Sequence, residues 1–82
     1  MPTLFRFQGV RVVSYPNDHC PAHVHVLADA CEAVFILNCP RGPLELRENL
    51  AFEPADLRRI AIALSSRLGE SCLHWSLIHG ID

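Results

Sequence analysis

Lysine is missing from this sequence, so its seven basic residues are all arginines, set against nine acidic residues and a formal net charge of −2. Domains that bind nucleic acid through its phosphates carry a basic patch and usually a clear positive charge. Because the charge balance here is slightly acidic, nucleic acid is not indicated as a partner. Local pairs of arginines could still contact phosphate.

Long apolar runs are missing as well. The longest, at Val34–Leu37 and Ile60–Leu64, fall far short of the ~20 residues that cross a bilayer. The start of the chain shows no charged segment followed by an apolar one and no lipidation motif. We therefore expect a cytoplasmic protein without a membrane partner. Its cysteines should be reduced thiols rather than disulfides, with Cys72 a buried apolar residue.

The first half of the chain has the pattern of short β-strands. Half of the residues are apolar and 20% are charged, as in a folded protein, and the length leaves room for a single domain over residues 1–82. β-Branched or alternating runs predict strands, with a two-residue turn at Asp29-Ala30 between the second and the third. The runs are Val10–Tyr15, His23–Leu27, Cys31–Leu37 and Leu44–Arg47.

The spacing of apolar residues becomes helical after Pro54, which suits the first position of a helix. One apolar stripe continues to Leu68, Gly69 is a natural stop, and residues 70–79 can form a second short helix. Trp75 in that helix is expected to anchor the core. Strands first and helices last predict an α+β domain, a small antiparallel sheet of three to five strands followed by two C-terminal α-helices packed on one face.

The chemically distinctive segment is residues 18–25, Asp-His-Cys-Pro-Ala-His-Val-His. Residues two apart on a strand project from the same face, so His23 and His25 should point together, with His19 in the turn before them. Three imidazoles could bind a divalent transition metal such as zinc. If the next strand returns by a short turn, Glu32 is a diagonal neighbour of His25 and could ligate that metal or orient the imidazole.

Three interpretations of this cluster stay open. His19, His23, His25 and Glu32 could hold a metal, they could form a metal-free polar site for a partner or a small anion, or the histidines could simply fill a half-buried sheet face. Their spacing matches no strong zinc signature, and the chain has no glycine-rich phosphate loop or serine-nucleophile elbow. A metal-dependent hydrolase or nuclease using the three histidines is therefore the alternative to a module that is not an enzyme.

Several short motifs stand out together: Met1–Thr3, Phe7-x-Gly9, Asn17–Val26, Glu32-Ala33 and Leu73-x-Trp75. With these motifs the chain resembles domain of unknown function family 4160, a family of small bacterial proteins. The family has no established activity. Its members are often encoded beside a second small protein, so the resemblance implies one component of a toxin–antitoxin-like pair. Leu27 stands where the family often has an acidic residue, which removes one potential metal ligand.

We therefore expect an accessory module that acts through a small protein partner or as a homodimer. A domain this small has little interior, so some apolar surface should stay exposed. The stretch Leu44–Phe52 is the best candidate, because it carries several apolar residues where the sheet gives way to the helices. A short edge strand there could pair with a strand of another chain.

Overall fold

Five antiparallel strands followed by two helices make up the part of the chain that the computed structural model describes, residues 3–15 and 21–79. The elements are β1 (Thr3–Phe7), β2 (Val10–Val13), β3 (His23–Ala28), β4 (Cys31–Ile36), β5 (Glu45–Leu50), α1 (Pro54–Ser66) and α2 (Leu68–His79). Strands that follow one another in the chain are neighbours in the sheet, in the order β1-β2-β3-β4-β5. This architecture confirms the α+β fold predicted from the sequence.

Tight turns set the register of two hairpins. Between β1 and β2, Gln8 and Gly9 adopt φ angles of +46° and +82°, the pair of left-handed residues that a type I′ turn requires. The predicted turn at Asp29-Ala30 joins β3 to β4, with Ala30 at a φ of +57°. Each two-residue turn sets the register of the residues next to it. The pairing of β1 with β2 shifts at an irregularity between Thr3 and Phe5, whereas β3 pairs with β4 along its whole length.

One face of the sheet packs against the helices. Val24 and Val26 of β3 are fully buried in a core that also contains Ile60 and Leu64 of α1. α2 adds partly buried side chains to the same core. Each Val or Leu side chain that is fully buried contributes about 1.5–3 kcal/mol, so this packing holds the helices on the sheet. Neither helix in the described part of the chain is long and apolar enough to cross a membrane.

The boundary between the helices differs from the prediction. α1 ends at Ser66, α2 begins at Leu68, and Gly69 lies inside α2 rather than stopping the helix before it. A glycine ends a helix by adopting the left-handed conformation, and Gly69 does not adopt it. The break falls at Arg67, whose N–H donates to the carbonyl of Leu64 at 3.0 Å and so closes the last turn of α1.

The expectation that the cysteines are reduced is wrong for two of them. Cys39, in the loop after β4, and Cys72 of α2 form a disulfide with their Cα atoms 5.9 Å apart. Cys72 is therefore a cross-link rather than an isolated buried thiol, whereas Cys31 is free. The cause is tertiary packing, because α2 lies across the loop and brings together two sulfurs that are 33 positions apart in the sequence.

Candidate functional site

His23 and His25 lie at the first and third positions of β3, and their rings are neighbours on one face of the sheet. The ring centroids are 5.3 Å apart with an angle of 67° between the planes. His25 lies opposite Val34 of β4, and His23 lies opposite Ile36. This arrangement confirms the shared face and the antiparallel pairing that the alternation of the sequence predicts.

Four rings follow one another in contact, and we call them the ring row: Tyr15, His25 and His23 along this face, and Trp75 of α2 beside His23. The centroids of Tyr15 and His25 are 4.6 Å apart, and those of His23 and Trp75 are 5.3 Å apart. Trp75 is only 2% exposed, which confirms its predicted role as a core anchor. The ring row thus links α2 to the middle of the sheet through contacts that the sequence did not reveal.

A hydrogen bond holds the His23 ring in place. Its Nδ1 lies 2.8 Å from the carbonyl oxygen of Pro21, so Nδ1–H donates to that oxygen. In the neutral ring, the lone pair is then on Nε2. The side chain is buried at 7% exposure. A ring whose orientation and tautomer are set by a backbone carbonyl is the form in which proteins use imidazole to ligate a metal or accept a proton.

Glu32 is the charged neighbour of the ring row. Its Oε2 lies 3.6 Å from Nδ1 of His25, across β3 and β4 in the diagonal position that the sequence predicts. A carboxylate at this distance can orient the imidazole. Because the Glu32 side chain is 46% exposed, solvent screens the pair, and exposed ion pairs contribute only about 0–1 kcal/mol.

The residues predicted to bind metal are only partly brought together. His23, His25 and Glu32 follow one another along the sheet, but His19 lies outside the described residues together with the rest of segment 16–20. Within residues 3–15 and 21–79, no three His, Cys, Asp or Glu side chains converge as a metal site requires. The metal site stays a prediction, and it needs a ligand from segment 16–20.

A cavity beside the ring row is a feature that sequence reasoning missed. It has a volume of about 500 Å³, and its walls include Trp75, Pro21 and the Cys39–Cys72 disulfide. Cys72 and Trp75 are three residues apart, which places them on the same side of a helix. From that spacing alone, Cys72 could have been predicted to lie beside Trp75. No local sequence pattern predicts that Cys39 lies beside them.

Comparison with known proteins identifies the family. A family model described as Domain of unknown function (DUF4160) matches residues 9–75. The chain belongs to this family. The DUF4160 match runs from the turn between β1 and β2 to Trp75, so it includes the whole ring row and both cysteines of the disulfide. No curated protein and no solved structure shows a match to the chain.

The DUF4160 match also includes β5, the edge strand of the sheet. All six residues of β5 are exposed, Leu46 and Leu50 among them at 47% and 65%. The strand extends beyond the predicted Leu44–Arg47, because pairing with β4 continues until Leu50 lies opposite Glu32. Phe52, which follows the strand, is buried in the core. The exposed apolar surface expected in this region is therefore on the strand itself.

Proposed function

We propose that this chain is an accessory module, not an enzyme, which acts through a small protein partner bound along β5. The observation that carries the proposal is the exposure of β5 over its full length. An unprotected edge strand offers a row of backbone N–H and C=O groups to which another strand can add. Its two large apolar side chains, Leu46 and Leu50, supply surface that a partner strand would bury.

The other edge of the sheet is less suited to this role. In β1, Leu4 and Phe5 are buried in the core, and the guanidinium of Arg67 lies over the Phe5 ring, 4.7 Å from its centroid. The side chain of Arg67, at the break between the helices, therefore covers part of β1. Because β5 has no buried residue, it is the edge that we assign to the partner.

The charges beside β5 indicate the chemistry of the partner strand. Leu50 lies opposite Glu32, and Glu48 lies opposite Val34, so both glutamates are on the face of the sheet that carries Leu50. Together with Asn49 they line an open cavity of about 400 Å³. A partner strand that presents basic side chains on this face, with an apolar side chain beside Leu50, fits this surface.

We place this interaction in a toxin–antitoxin-like pair, with the small protein encoded beside the chain as the partner. Co-expression of the two proteins followed by gel filtration tests the contact. We expect a stable complex in which the β5 amides are protected from hydrogen exchange, whereas the β1 amides are not. Growth arrest by the neighbouring protein alone, relieved by co-expression, tests the biological role.

Leu50→Asp and Leu77→Asp form a matched pair of variants for this test. Both leucines are largely exposed, at 65% and 72%, but Leu77 lies on α2. The proposal requires that Leu50→Asp dissociate the complex and that Leu77→Asp leave it intact. Equal effects, or no complex at all, would overturn it. A pure chain that sediments at twice its 9.2 kDa mass and becomes monomeric as Leu50→Asp would assign β5 to a homodimer instead.

A metal-dependent hydrolase or nuclease is the second candidate, favoured by the shared face of His23 and His25. In this proposal His19 completes the site, with Glu32 as ligand or orienting carboxylate and zinc as the metal. Zinc should then bind at one per chain and raise the melting temperature by mass action. His19→Ala, His23→Ala and His25→Ala should each abolish that rise. If micromolar zinc leaves the melting temperature unchanged, this candidate is excluded.

The cytoplasmic location expected from the sequence is also a proposal, and the disulfide makes it testable. Disulfides are rare in a reducing cytoplasm and persist in oxidising compartments. A chain in a reducing cytoplasm would carry Cys39 and Cys72 as thiols in growing cells, unlike the structure, in which they are joined. Alkylation of thiols before lysis, followed by peptide mapping, measures their state, and a disulfide trapped in this way would contradict the location.

A further inference from the structure

The hairpin of β1 and β2 brings two arginines face to face. Its register places Arg6 directly opposite Arg11. Residues paired in this way project from the same face, with Cβ atoms about 4.5–5.5 Å apart, and like charges there are destabilising. The two-residue turn at Gln8-Gly9 prevents the strands from slipping to separate them. The sheet therefore maintains an unfavourable pair of positive charges.

No group in the described part of the chain neutralises this pair. Neither Arg6 nor Arg11 makes an ion pair or a side-chain hydrogen bond within residues 3–15 and 21–79. Asp29 lines the same cavity but does not approach either guanidinium to ion-pair distance. Both guanidiniums thus have donors available for an anion from outside.

The arginines line an open cavity of about 300 Å³. Leu27 of β3 lies opposite Arg11 and forms an apolar part of the wall. At Gly9, a Cβ atom would meet nothing within 4 Å, so the side next to the turn is unobstructed. Small-molecule sites combine such a concave surface with a few convergent polar groups, at volumes that begin near 300 Å³.

We propose that Arg6 and Arg11 bind a phosphate group, either free or carried by a small molecule. A guanidinium presents parallel N–H donors that match phosphate oxygens in pairs. Two guanidiniums facing each other can share the oxygens of a phosphate, whose charge of about −1.5 to −2 at pH 7 offsets both of theirs, whereas a carboxylate carries a single negative charge. The net charge of −2 opposes association with a long nucleic acid, so the ligand is a small phosphate compound.

Calorimetric titration with inorganic phosphate, at constant ionic strength set by chloride, tests the site. We expect one phosphate per chain. Arg6→Gln and Arg11→Gln should each weaken binding about ten- to a hundredfold, because each removes a charge-assisted hydrogen bond. Arg58→Gln is the matched control, since it removes the same charge from an exposed position of α1 and should bind phosphate as the native chain does.

A melting curve without phosphate shows that the variants fold. Arg11→Gln should melt no lower than the native chain, because the substitution relieves the like-charge contact. Glycerol phosphate is titrated as a second ligand. If it binds more tightly than inorganic phosphate, and Arg6→Gln and Arg11→Gln lose this binding, the result would support an organic phosphate as the ligand. The proposal is overturned if phosphate has no more effect than chloride, or if Arg58→Gln loses binding equally. A short DNA duplex that binds without competition from phosphate would also overturn it.

Discussion

Reduction of the Cys39–Cys72 disulfide should remove a large part of the stability of this domain. The bond closes a loop of 33 residues between the segment after β4 and α2, and this loop contains β5 and α1. In the chain-entropy description, a loop of that length lowers the entropy of the unfolded state by about 12.5 cal/mol/K, which is about 3.7 kcal/mol at 25 °C. A domain of 82 residues has a total free energy of unfolding of roughly 4–12 kcal/mol.

Urea unfolding of the oxidised and reduced native chain measures this contribution without creating a cavity. Trp75 is the only tryptophan and is buried, so its fluorescence reports the loss of the ring row on unfolding. For a small domain that loses about 1 kcal/mol per molar urea, the midpoint should fall by roughly 3–4 M on reduction. The reduced chain could then be partly unfolded even in the absence of urea.

Cys31→Ser is the control, because it removes a free thiol and leaves the cross-link intact. Its midpoint should fall by less than that of the reduced native chain, and reductant should lower it further by the full amount. In Cys39→Ala, by contrast, reductant should have no additional effect. Oxidised and reduced chains that unfold at the same urea concentration would refute the reasoning, since α2 would then be held by packing alone.

Two further predictions compare buried and exposed positions. Leu64→Ala should lower the free energy of unfolding by about 2–5 kcal/mol, because Leu64 is fully buried, whereas Ile62→Ala, at 71% exposure, should cost under about 1 kcal/mol in the same urea assay. His23→Ala should lower the free energy of unfolding by about 1–3 kcal/mol, because it removes the hydrogen bond to Pro21 and the ring packing. Glu32→Gln should lower it by less than about 1 kcal/mol. If Glu32→Gln lowers the free energy of unfolding as much as His23→Ala does, the pair of Glu32 with His25 is not screened by solvent.

Local patterns in the sequence were enough to predict the arrangement around β3. The alternation from His23 to Leu27 predicts a strand with both histidines on one face, because side chains of a strand alternate between faces. The short turn at Asp29-Ala30 then determines which residue of β4 lies opposite each of them. The position of Glu32 beside His25 follows from these two facts. The start of α1 at Pro54 is local in the same sense, since proline suits the first turn of a helix.

Contacts between distant parts of the chain were decided only by tertiary packing. Cys39 and Cys72 carry no local sign of each other, and the expected reduced state came from the compartment rather than from their positions. The contact of Trp75 with His23 likewise depends on where α2 lies across the sheet. Gly69 is a local pattern that gave a wrong prediction. It was expected to end the first helix, but α1 already ends before Arg67, whose N–H closes the last turn. Alternation and turns act over a few residues, whereas these contacts depend on how whole elements pack, which a local pattern does not encode.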